Sequence, residues 1–352
     1  MPFANIPAKH PEKESAMTMR RSLYVFTLVL LGSAWLPLAS AQATTSGGTS
    51  TPPLIAIGNW GDFAAKVGSL TAPWVDPLYG ANDWGAIASD PTNGPLVAVR
   101  DGDGNVWAKE GSLTAPWVEE YSGAVHPAGQ VAVASDPTNG PLIVVVTTSG
   151  VVYAKEGSLT APWVEEYSVS TDAANAVAVA SDPTNGPLIA VVTTGGVVYA
   201  KVGSLTAPWY DEYNGAGAVA VASDPTNGAL IAVLSGTSVY AKEGSLTSAT
   251  WLDEYNGADQ VAVASDPTNG PLIAVVDAGG NAYAKEGSLT GATWTEEWTG
   301  TADQVAVASD PTNGPLIAVM DAGGNAWAKE GNLTAAWTEE YASAVLGVAV
   351  AG

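Results

Sequence analysis

Three residue types recur in this chain at a spacing that could do chemistry. A lysine stands in each of seven Ala-Lys signatures, at Lys66, Lys109, Lys155, Lys201, Lys242, Lys285 and Lys329. Eight or nine residues after each lysine comes a tryptophan, and three residues after most of those tryptophans comes an acid. The candidate ligand-binding set is therefore Lys109, Lys155, Lys201, Lys242, Lys285 and Lys329, with Trp117, Trp163, Trp209, Trp251, Trp294 and Trp337. Its acids are Glu120, Glu166, Glu212, Glu254, Glu297 and Glu340. Aromatic rings beside an ammonium and a carboxylate can stack on a sugar ring and bind its hydroxyls. The same residues also suit packing: the tryptophan wedged between neighbouring repeats, the lysine paired with a nearby carboxylate. Both readings stay open at the level of sequence.

Catalysis has less to work with. There is no cysteine, and His126 is the only histidine beyond residue 41. Nucleophilic triads and zinc sites need such residues in groups, so no enzyme, metal or cofactor is expected. Acid doublets abound, from Glu119-Glu120 to Glu339-Glu340. Neighbours along a strand face opposite ways, so a doublet is not the facing carboxylate pair that glycoside hydrolysis requires. Asp101-Gly102-Asp103-Gly104-Asn105 opens like a calcium loop, but Val106 and Ser112 stand where such a loop needs Gly and Glu. It reads as a polar hairpin turn.

The elements that must carry these residues repeat too. The hexapeptide Ser-Asp-Pro-Thr-Asn-Gly begins at Ser89, Ser135, Ser181, Ser223, Ser265 and Ser309, at intervals of 42 to 46 residues. A period in this range marks a repeat architecture. The unit Val261–Trp298 holds four short runs rich in β-branched and aromatic residues: 261–264, 272–276, 281–285 and 294–298. Asn269-Gly270, Gly279-Gly280 and the Gly287–Gly291 stretch supply the turns between them. No run keeps helical spacing. Four antiparallel strands per unit predict an all-β, seven-bladed β-propeller. The small Val-Ala strand belongs innermost, and the Trp-acid strand outermost with its acids in solvent.

The repeat starts and stops mid-unit. Pro53–Ile57 matches the second strand and Val348–Ala351 the first. The C-terminal strand is thus predicted to complete the N-terminal blade and close the ring, which removes two exposed edges. Blade one departs from the pattern: Phe63 lies one residue early for its aromatic, and Pro77 weakens pairing in its outer strand.

Ahead of the repeat, Arg20-Arg21, the apolar stretch Leu23–Leu38 and Ala39-Ser40-Ala41 read as a secretory signal peptide over residues 1–41. Residues 42–52 read as a flexible linker, and 53–352 as the propeller. The expectation is a secreted protein, extracellular or periplasmic. The whole chain carries a formal charge of −23, and beyond residue 41 its basic residues are the seven repeat lysines and Arg100. A polyanion would be repelled, so nucleic acid and anionic membrane are not expected as partners, and no membrane insertion is expected.

Taken together, the small-residue strand, the Ser-Asp and Gly turn, the apolar strand, the Tyr/Trp-bearing strand and the closing Trp strand resemble the tectonin/tachylectin-type lectin propellers and related bacterial sugar-binding propellers. The resemblance covers 53–352. It implies multivalent binding of glycans or cell-surface polysaccharide in pockets between adjacent blades. The other reading is a structural or protein-interaction scaffold that binds no sugar. The oligomeric state is not legible.

Overall fold

A computed structural model describes residues 40–42, 52–59, 62–79, 84–342 and 345–352. They form seven sheets, each built on four antiparallel strands, which in blades two to seven follow sequence order from inside to outside. This is the predicted seven-bladed propeller, and no helix interrupts it among the described residues. No helix among them is long and apolar enough to cross a membrane.

Blade one is the composite. Its strand order is Val345–Ala351, Leu54–Asn59, Asp62–Val67 and Val75–Tyr79. Leu54 pairs with Ala351 and Ile57 with Val348, so the last strand completes blade one and closes the ring, as the sequence predicts. Blades two to seven run from Trp84 to Tyr341 with their inner strands on the Val-Ala repeats. Val133 and Val179, for example, are no more than 1% exposed. Alternating small residues let seven strands converge on one axis.

The hexapeptide earns its repetition at these inner ends. Asp136 Oδ1 accepts the backbone N–H groups of Thr138 and Asn139 at 2.8 Å, which fixes the hairpin turn. Its other oxygen accepts Ser181 Oγ from the next blade. The same Ser-to-Asp bond recurs from Ser135 to Asp90, Ser223 to Asp182, Ser265 to Asp224 and Ser309 to Asp266. These groups are buried, so one short motif both shapes a turn and ties neighbouring blades. Gly140 must be glycine: its φ is 76°, and a Cβ would lie 2.8 Å from the Gly157 carbonyl oxygen.

The strand Ser40–Gln42 adds in parallel to the inner edge of blade two, with Ser40 opposite Ile87. It approaches the inner strand of every blade and so runs in the central channel. The boundary expected between signal and linker falls within it. Residues 1–39 and 43–51, which carry the rest of those two expectations, lie outside the described residues.

Candidate functional site

Each outer strand carries a β-bulge, and the bulge decides where its acids go. In blade three Tyr153 pairs with Glu165 and Val152 with Tyr167, leaving Glu166 as the extra residue. Corresponding shifts occur in the outer strand of every blade. The expectation that both acids of a doublet face solvent therefore holds for one acid only. Glu119, Glu165, Asp211, Asp253, Glu296 and Glu339 are exposed, whereas the second acids turn into the seam between blades.

There they meet the lysines, always those of the following blade. Lys155 pairs with Glu120, Lys201 with Glu166, Lys242 with Glu212, Lys285 with Glu254 and Lys329 with Glu297. Lys66 pairs with Glu340 across the closure. The sequence suggested sets within one blade, such as Lys109 with Glu120 or Lys285 with Glu297. The structure replaces them with pairs across the seam, because the bulged acid faces the neighbour rather than its own third strand.

The cage around each ammonium is uniform. Lys242 and Lys285 donate to the carbonyls of Leu246 and Leu289, both at 2.9 Å. All seven lysine nitrogens lie over the ring of their own tryptophan, within 5.6 Å of its centroid. Trp163 and Trp209 donate to the carbonyls of Glu120 and Glu166 in the preceding blade, at 2.8 and 2.9 Å. So the tryptophans do wedge between blades. Burial pushes the Glu120 and Glu166 carboxyls above the usual range, and the facing ammonium draws them partly back.

The aromatic residues form a second layer at the seam. Tyr121 packs edge-on against Trp163 at 5.5 Å and lies tilted against Tyr153 at 6.0 Å. Equivalent trios centre on Tyr167, Tyr213, Tyr255 and Trp298. Such contacts add about 0.5–1.5 kcal/mol each beyond buried area.

Register also brings together a set that sequence reasoning missed. The third-strand aromatic of a blade sits directly opposite the first acid of its doublet: Trp107 with Glu119, Tyr153 with Glu165, Tyr199 with Asp211. Tyr240 with Asp253, Tyr283 with Glu296 and Trp327 with Glu339 complete six. Directly opposed residues share a face. These rings are half-buried and their acids exposed, so each pair offers solvent an aromatic surface beside a hydrogen-bond acceptor. Only the bulge sets this pairing.

The Asp101 loop is a hairpin turn, as its sequence suggests. Asp101 accepts from the N–H groups of Asp103 and Asn105, from Asn105 Nδ2 and from Trp107 Nε1. Burial alone would raise its carboxyl, but these donors outweigh it and hold it below the usual range. No group of three or more metal-ligating side chains is assembled among the described residues.

No protein-family model matches the chain, and no curated protein matches it. Solved structures do. The BP39L lectin from Burkholderia pseudomallei superposes with a TM-score of 0.62 at 14% identity, over 88% of this chain and 99% of that one. A chain of the mitotic checkpoint complex gives 0.58 at 14% identity, over 85% and 91%. BBS1N, crystallised in complex with ARL6DN, gives 0.56 at 14% identity, over 80% and 89%. The likeness is one of fold, shared by a lectin and by propellers from protein complexes.

Proposed function

We propose that the chain is a non-catalytic, multivalent carbohydrate-binding propeller that is exported from the cell. The observation that carries this reading is the sixfold repetition of an exposed acid opposite a half-buried aromatic on the outer half of the blades. A sugar ring would stack on Tyr153 or its equivalents, and Glu165 or its equivalents would accept hydroxyl hydrogen bonds. Trp163, Lys155 and Glu120 would form the wall behind, fixed by their own seam contacts. Each site would bind weakly; a rigid ring presenting six of them to one glycan surface would gain by avidity and lose little entropy. The bacterial lectin among the similar structures supports this reading at the level of architecture.

A glycan array on the purified protein tests it, followed by calorimetry with a monovalent sugar from the retained set. The expected stoichiometry is well above one per chain. Tyr283→Ala should lower it by about one, since separate sites act independently. Lys285→Ala should instead lower stability and leave the other sites binding. A specific observation favours a second reading: the acids left exposed form a repeated anionic rim, which suits a basic protein partner. Absence of glycan retention would favour that scaffold role.

A further inference from the structure

Six seams hold a lysine neutralised by an acid from the preceding blade; among the described side chains, the seam between blades one and two does not. Lys109 is 2% exposed, as buried as its equivalents. It donates to the Leu113 carbonyl and lies over Trp117 at 4.6 Å, the shortest of the seven ring distances. Among the residues whose side chains are described, no carboxylate reaches it. The cause is in the sequence. Pro77 stands three residues after Trp74, where Glu120, Glu166 and the others stand after their own tryptophans.

We propose that Lys109 is the receiving end of a single carboxylate-binding site at the seam between blades one and two. A buried ammonium without a counter-ion has two ways out: it loses its proton, or it recruits an anion. Burial does push Lys109 down from the ordinary lysine range. Its surroundings nevertheless match a cation, since a carbonyl oxygen and an indole face both favour the charged form. What is missing is the third member of the cage, which is a carboxylate at each of the other six seams. A carboxylate from outside, on a small acid or on an acidic sugar, supplies that same group. The proposal does not depend on the sugar reading, because the aromatic-acid pairs are separate residues and occur six times rather than once.

Thermal unfolding of the full protein tests it, in sodium acetate against sodium chloride at equal ionic strength. At acetate about tenfold above its Kd, the midpoint should rise by roughly 2–4 °C relative to chloride. Sodium glucuronate against glucose plus sodium chloride forms the second arm. An equal response to acetate and glucuronate assigns a simple carboxylate slot, and a stronger response to glucuronate assigns an acidic sugar. Pro77→Glu should raise the midpoint in chloride and abolish the response, by building the missing acid into the chain. Lys109→Met should abolish the response as well. No difference between acetate and chloride for the unmodified protein overturns the proposal, and so does a response that survives in Lys109→Met.

Discussion

At the seam between blades two and three, Lys155 reaches Glu120, Trp163 donates to the Glu120 carbonyl, and Tyr121 fills the groove between Trp163 and Tyr153. At the seam between blades one and two, Lys109 keeps its carbonyl and its ring, but no acid among the described side chains pairs with it. Something else joins the two blades there. Phe63, displaced by one residue, is buried and lodges against Gly85, which stands where the other inner strands carry valine. One seam is held by charge and aromatic rings, the other by a large side chain in a space made by a missing one. A repeat ring thus tolerates different chemistry at one joint, provided that volume is conserved across it.

The comparison is broken most severely by removing the strand that makes blade one a blade. Deleting 345–352 takes away Val348, Ala349, Val350 and Ala351, all fully buried. The expected outcome is loss of a single cooperative transition in thermal unfolding. A wild-type-like melt would show that the ring does not depend on this closure.

Charge at the regular seams comes next. Lys201→Met leaves Glu166 buried without its ammonium and should cost about 3–5 kcal/mol in denaturant unfolding. Adding Glu166→Leu should recover most of that loss, because an apolar pair needs no counter-ion. Lys109→Met orphans no acid and should change stability by less than ~1 kcal/mol in chloride. If both lysine variants cost the same, the two seams do not differ as the ion pairs indicate.

Gly85→Val restores the residue usual at that position yet should destabilise. Its Cβ would fall 2.2 Å from Phe63 Cε2, an overpacking expected to cost roughly 1–3 kcal/mol. Combining it with Phe63→Val should return part of the loss, which a double-mutant cycle would read as coupling.

A smaller effect separates the seams by pH. Burial, then the nearby Asp136 and Glu166 carboxylates, raise Glu156 to about 7, with Lys201 opposing. Burial and then Asp224 raise Glu243 to about 7. Valine stands at the corresponding position in blade one, Val67. A carboxyl raised in the folded state holds its proton where the unfolded chain has released it. Its stabilising contribution is therefore complete below about 4.5 and is lost as pH rises through about 7. Unfolding midpoints should fall across that window, and Glu156→Gln together with Glu243→Gln should flatten the profile. An unchanged slope in the double variant would remove these two groups from the explanation.

The fold was legible because its signals are local. Asn-Gly turns, the Val-Ala alternation and the half-units at 53–57 and 348–351 each state a strand or an edge without reference to distant residues. The site was legible only as an inventory. Strict alternation puts Trp163, Glu165 and Tyr167 on one face, but the extra residue at Glu166 breaks that phase. Nothing in Val-Glu-Glu-Tyr marks which acid is the extra one, since a bulge is set by pairing with another strand. The partner of Lys155 was hidden for the same reason: Glu120 lies in a different blade, and its direction depends on that bulge. Pro77, by contrast, was visible as a departure, though its consequence falls on Lys109 in the next blade rather than on its own lysine.

The pairing of Leu54 with Ala351 also makes ring closure a contact between strands nearly 300 residues apart. If the blades form in chain order, the place beside Leu54 stays unfilled until the last strand is made. The terminal strand of a second copy has the same sequence and would fit that place equally well. Closure within one chain wins when its effective concentration, on the order of millimolar for a tethered segment, exceeds that of free neighbours. At high local concentration, as where many chains emerge together, the same geometry would yield strand-swapped dimers or open chains of rings.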